Sequence, residues 1–161
     1  MIRVYLAARY SRREELCRYR EQLQELGFDV QARWLDGSHE LDGRGLSVEA
    51  KVDERTRFAL EDWEDVTKAD WVISFTEIPR STPGRGGRHV EFGAAMALER
   101  RCIVIGPREN VFHHLPRTEH LGDWEAFLET TKHQIDSGWW PVGDLDEEAE
   151  EDATDMEPVV E

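Results

Sequence analysis

Cysteine is scarce in this chain. Two residues in 161, Cys17 and Cys102, exclude a disulfide-stapled scaffold. One falls in a helical pattern and the other at a strand start, so both read as buried thiols in a reducing compartment. Long apolar runs are missing too. No stretch approaches 18 apolar residues, and no membrane contact is expected. No leader-like segment precedes the first apolar run, so a soluble, cytoplasmic protein is expected. Internal repeats, collagen-like periods and Pro-rich segments are absent. There is no P-loop, and "GRGG" at 84–87 lacks the G-x-G-x-x-G spacing of a dinucleotide site. His113, His114 and His120 match no strong metal spacing, so neither metal nor cofactor is expected.

Basic charge is also in short supply. The formal net charge is −15, which disfavours a nucleic-acid polymer as partner. The deficit is local. Residues 143–161 carry ten acids and no Lys or Arg, and setting those ten charges aside leaves −5 for residues 1–142. Such a block cannot bury enough apolar surface to fold. The expected organisation is one domain, residues 1–142, followed by an acidic, disordered tail, residues 143–161.

What is present alternates. "MIRVYLAARY" opens with a compact strand-like run, Ile2 to Ala7. Leu16, Tyr19, Leu23 and Leu26 then recur at helical spacing, with Ser11 as a candidate N-cap and Gly27 as the stop. "FDVQARWL" reads as a second strand, and residues 36–50 as a Gly-, Ser- and Asp-rich loop. Lys51 to Lys68 is helical, "ADWVISF" a third strand, and "TEIPRSTPGRGG" a loop. His89 to Arg100 is an Ala-rich helix, and "CIVIG" a central strand. A short fifth strand and a helix capped by Asp123 close the pattern, with Trp139 and Trp140 packing that helix down.

This alternation implies a parallel sheet covered by helices on both faces. The expected fold is a flavodoxin-like, doubly wound three-layer α/β sandwich on five strands in the order 2-1-3-4-5. Ligands of such sheets sit beyond the carboxyl ends of the strands, where strand order reverses. Two loops meet there. One runs from Ala7 to Arg13 with Arg9, Arg12 and Arg13; the other runs from Thr76 to Arg88 with Arg80, Arg85 and Arg88. Facing arginines point to an anionic small molecule, with phosphate the first expectation. Trp34 and Trp63 lie near the same crevice, where either can stack on a base or pack in the core.

Two carboxylates stand out beside that crevice. Glu91 falls in the first turn of its helix, where it complements the dipole; ionised and aimed at the crevice, it is also a nucleophile for an electrophilic carbon. Asp62 shares a helix with Glu61, Glu64 and Asp65, so it is either part of a solvated acidic face or a group that reaches the crevice.

Three features in order, over roughly residues 2–130, resemble the nucleoside 2-deoxyribosyltransferase family and the related 2'-deoxynucleoside 5'-phosphate N-hydrolases. They are "VYLAARYSRREE", the "EDWEDVTKADWVI" stretch with Asp62 eight residues before Asp70, and "GGRHVEFGAAMALERRCIVIG". The resemblance implies cleavage or transfer at an N-glycosidic bond. Glu91 matches the nucleophile, Tyr5 the residue that orients it, and Asp62 the carboxylate that helps the base depart. Candidate substrate contacts are Ala7, Arg9, Ser11, Trp34, Arg85, Gly87 and Arg88. The substrate is then a small nucleoside or nucleotide, and the assembly a homo-oligomer. Arg85 stands six positions before Glu91, where the transferases carry an acid, and this favours a 5'-phosphate. The alternatives are a nucleoside 5'-monophosphate N-hydrolase and a non-catalytic nucleotide sensor on the same fold.

Overall fold

The computed structural model describes residues 1–37, 48–78 and 86–139. The loop core at 38–47, Arg80, Arg85, Trp140 and the acidic tail lie outside the described residues. The elements are β1 (Arg3–Ala7), α1 (Arg13–Glu25), β2 (Asp29–Val30), α2 (Val48–Lys68), β3 (Trp71–Phe75), α3 (Gly87–Ala97), β4 (Arg101–Ile105), β5 (Thr118–Leu121) and α4 (Trp124–Asp136). Short 3₁₀ turns lie at Tyr10–Arg12, Arg33–Asp36 and Val111–His114.

The five strands form one parallel sheet in the order β2-β1-β3-β4-β5, the flavodoxin-like arrangement the alternation predicts. β3 is buried along its whole length, and β4 at all but Arg101. Continuous apolar strands are what two helical layers require. α1 and α4 cover one face. Tyr19 of α1 stacks on Trp124 of α4 at 4.2 Å and on Phe75 of β3 at 5.5 Å. The Trp124 indole also donates to Gln22 at 2.7 Å. α2 and α3 pack side by side on the other face, against β1. Asp123 caps α4 as expected, accepting from the Ala126 N–H at 2.9 Å.

Several local expectations change. The second strand is only two residues long, because Arg33–Asp36 turns into a 3₁₀ helix. Asp65 imposes that turn: its carboxylate accepts the Arg33 N–H and Nε, each at 2.9 Å. The sheet edge beyond β2 is completed by a side chain, with the Trp34 indole donating to the Leu6 carbonyl at 2.9 Å. Ser11 is not an N-cap. It lies exposed in the 3₁₀ turn that precedes α1, and Arg12 occupies the cap position without a side-chain cap bond. α2 begins at Val48, and Trp63 on it is exposed rather than packed in the core. Trp139 is likewise exposed.

Candidate active site

α3 starts earlier than its periodicity predicts. Gly86 sits at φ 79°, a left-handed conformation open to glycine, and caps a helix that begins at Gly87. Glu91 therefore belongs to the second turn, and no acid occupies the first. The helix dipole acts mainly within the first turn, so it does not explain this carboxylate.

Glu91 is instead held by the sheet. The hydroxyl of Tyr5, a fully buried residue in the middle of β1, donates to Glu91 Oε1 at 3.1 Å. Burial drives the Tyr5 phenol well above its ordinary value, and the charges of Glu91 and Asp62 add to the effect. The phenol thus remains a donor at neutral pH. Glu91 itself is pushed up to about 7, first by burial and then by the charge of Asp62. The Tyr5 hydrogen bond and nearby Arg88 pull in the opposite direction without prevailing.

Asp62 comes from α2. Burial is the main reason its carboxyl rises to about 6, with Asp65 and Glu61 adding to it and Arg33 opposing. Its neighbour Asp65, one turn on, is the contrasting case, since Arg33 clamps it at 2.7 Å. With midpoints of about 6 and about 7, Asp62 ionises before Glu91, and its charge is what adds to burial in raising Glu91. A carboxyl that ionises in the neutral range can serve as a base or as a nucleophile.

The site lies between α2 and α3 over β1. Its loops arise at the carboxyl ends of β1 and β3, where strand order reverses. The arginines there divide by partner. Arg12 pairs with Glu15 at 2.7 Å and reaches the Thr76 carbonyl at 3.4 Å and Glu77 at 3.6 Å, tying the two loops together. Arg13 donates to the Leu35 carbonyl at 2.7 Å. Arg88 is buried and grips Glu109, with Nε to Oε2 at 3.2 Å and Nη2 to Oε1. In this structure its guanidinium is held by a carboxylate, not directed to an open anion site. Arg9, half-buried after β1, makes no ion pair among the described residues. Ala7 ends β1 fully buried, while Gly87 is exposed at the start of α3. Trp34 is buried, with its N–H committed to Leu6, and so is core rather than a free stacking platform.

The histidines also have structural partners. His113 is fully buried and accepts the Glu109 N–H at Nδ1, 3.2 Å away. His120 Nε2 lies 2.7 Å from the Gly106 carbonyl. Sequence reading missed Glu109 and the clamp on Asp65. The available signal was an arginine, Arg88, at the start of an apolar helix, because a buried cation needs an acid.

No family model matches the chain. No curated protein matches either. Among solved structures, the CMP N-glycosidase BcmB of Clostridium botulinum is similar at 19% identity and TM-score 0.51, covering 81% of this chain and 98% of its own. A 2-deoxyribosyltransferase from Bacillus psychrosaccharolyticus is similar at 20% identity and TM-score 0.59, covering 78% of this chain and 90% of its own. The chain has the fold of these two enzymes, one of them a 2-deoxyribosyltransferase like the family its sequence resembles.

Proposed function

We propose that this chain breaks the N-glycosidic bond of (deoxy)nucleosides or their 5'-monophosphates through a glycosyl ester on Glu91. The observation that carries the proposal is the Tyr5–Glu91 hydrogen bond at 3.1 Å, made beside a second carboxyl of raised pKa, Asp62. A structural glutamate would be paired with a cation, as Glu109 is. Glu91 has a phenol instead, which orients the carboxylate without neutralising it.

In the first step a Glu91 oxygen attacks the anomeric carbon. The carbon–nitrogen bond breaks, and its electron pair leaves with the base. Asp62 gives the departing base a proton, from the minor form in which it holds the proton while Glu91, the weaker acid, is ionised. In the second step water or an acceptor base attacks the same carbon, the Asp62 carboxylate takes the attacker's proton, and Glu91 leaves with net retention. Tyr5 fixes the carboxylate throughout.

Arg9 favours the 5'-monophosphate reading, because Arg12 is held by Glu15 and Glu77 and Arg13 by the Leu35 carbonyl, whereas Arg9 makes no ion pair among the described residues. Arg85 lies outside them and is proposed for the same role. The fold's similarity to a CMP N-glycosidase puts cytidine 5'-monophosphate in the first substrate panel. A homo-oligomer in solution is proposed as well, and the sensor reading is the one these carboxyls disfavour.

Chromatography of a panel of nucleosides and 5'-monophosphates, with and without added free base, tests the proposal. Free base released without acceptor identifies a hydrolase, and exchanged base a transferase. Silence on every substrate contradicts an enzyme of this class.

A further inference from the structure

Arg88 and Glu91 stand three residues apart on α3, so their side chains project from one face of the helix and can reach each other. An arginine one turn away is the natural partner of a glutamate, and a pair formed there would fix Glu91 as a neutralised anion. The pair is not formed. Glu109, from the loop after β4, takes the guanidinium through both Nε and Nη2. The two side chains are only 7% and 9% exposed, so water does not loosen the grip. Glu109 is in turn fixed from behind. Its N–H donates to Nδ1 of buried His113, whose Nε2 lies 3.3 Å from the Asn110 side-chain amide. The turn is tight where the loop leaves β4, because Gly106 sits at φ 105° and a Cβ there would meet Thr76 Oγ1 at 2.8 Å.

We infer that Glu109 is a positioning residue of the Glu91 site, a competing carboxylate that holds Arg88 off the nucleophile. It rests on the reading of Glu91 as the attacking group, but its physical content is the charge around Glu91. The groups that bear on Glu91 are Tyr5 from β1, Asp62 from α2 and Arg88 from α3 itself. Asp65 of α2 acts on Tyr5 and Asp62. His89 and His113 flank the Arg88–Glu109 pair, and burial holds both below their ordinary value, so they stay uncharged near neutrality.

The direction is fixed by sign. Removing the Glu109 charge leaves Arg88 uncompensated and free to turn toward Glu91, and both effects favour the Glu91 anion. Carboxyl ¹³C NMR of the full-length protein, with Glu91 assigned through Glu91→Gln, reads this without substrate. In Glu109→Gln the Glu91 midpoint falls by about one pH unit. The acid limb of base release moves down with it. In Arg88→Gln/Glu109→Gln, which leaves no buried charge unpaired, the midpoint returns to the wild-type value or above. An unmoved Glu91 midpoint in folded Glu109→Gln overturns the inference, as does a midpoint below wild type in the double variant. If Glu109→Gln does not fold, the double variant alone decides. A protein that shows the NMR shifts but releases no base would refute the functional reading and leave the role of Glu109 standing.

Discussion

The two flanks of α3 solve the burial of charge in opposite ways. On the Arg88 flank every charge is answered. Arg88 pairs with Glu109, Glu109 is seated by His113, and Asn110 bridges to the imidazole. On the Glu91 flank the Tyr5 phenol meets Glu91, and burial pushes Glu91 up to about 7 and Asp62 up to about 6. α2 repeats the contrast within a single turn, where Asp65 is clamped by Arg33 and Asp62 is raised. Paired charges hold a fold together. Carboxyls kept near neutral midpoints are destabilising, and they are retained where chemistry uses them.

Breaking the poised flank should have the largest effect. Glu91→Gln is expected to lower base release by about 10⁴-fold or more, as loss of a covalent nucleophile does. The same variant should be more stable than wild type at high pH. Glu91 has a folded-state value of about 7 against an ordinary 4.5, so burying its charge costs nothing below 4.5, increasingly more up to 7, and the full amount above. Chemical denaturation should give Glu91→Gln a gain of about 3 kcal/mol at pH 8 and almost none at pH 4. A stability gain independent of pH would remove the electrostatic account.

Breaking the paired flank should act on stability instead. Glu109→Ala leaves Arg88 buried without its acid and should cost about 3–5 kcal/mol in denaturant unfolding. A loss below about 1 kcal/mol would mean that water or Glu91 takes over the freed guanidinium.

Smaller effects are expected from single contacts around Glu91. Tyr5→Phe removes the hydrogen bond that lowers the Glu91 pKa, so the acid limb of the rate profile should move up. Rates at neutral pH should fall about tenfold, the worth of one such bond. Asp62→Asn removes the charge that most raises Glu91, and should move the same limb down even as base departure slows. Arg9→Ala should weaken 5'-monophosphates by about tenfold and nucleosides little. Equal losses for both would withdraw Arg9 from phosphate binding.

Most of the fold was legible in the sequence because it rests on period and punctuation. The apolar runs of β1, β3 and β4 and the Asp123 cap needed no tertiary knowledge. The second strand was overcalled because its end is set by Asp65, more than thirty residues away, which no local pattern reveals. Ser11 has the residue type of a cap but stands one position before the cap of α1. The candidate site is proposed from residue types and their order, and the Tyr5–Glu91 hydrogen bond joins two of its members. Its electrostatics were not legible in the sequence, because whether an arginine faces a ligand or an acid depends on a loop from another crossover. Arg88 was expected to meet phosphate and is held by Glu109; Arg9 was one of three similar arginines and is distinguished by what it lacks.

Catalysis as proposed requires Glu91 to form a covalent bond to the sugar. Acid quench of the enzyme during turnover of a 2'-deoxynucleoside 5'-monophosphate, followed by intact-mass and peptide analysis, reads that bond directly. A glycosyl adduct is expected on the peptide carrying Glu91 and absent from Glu91→Gln. Base release with the adduct on another residue, or undiminished release by Glu91→Gln, would contradict this role of Glu91.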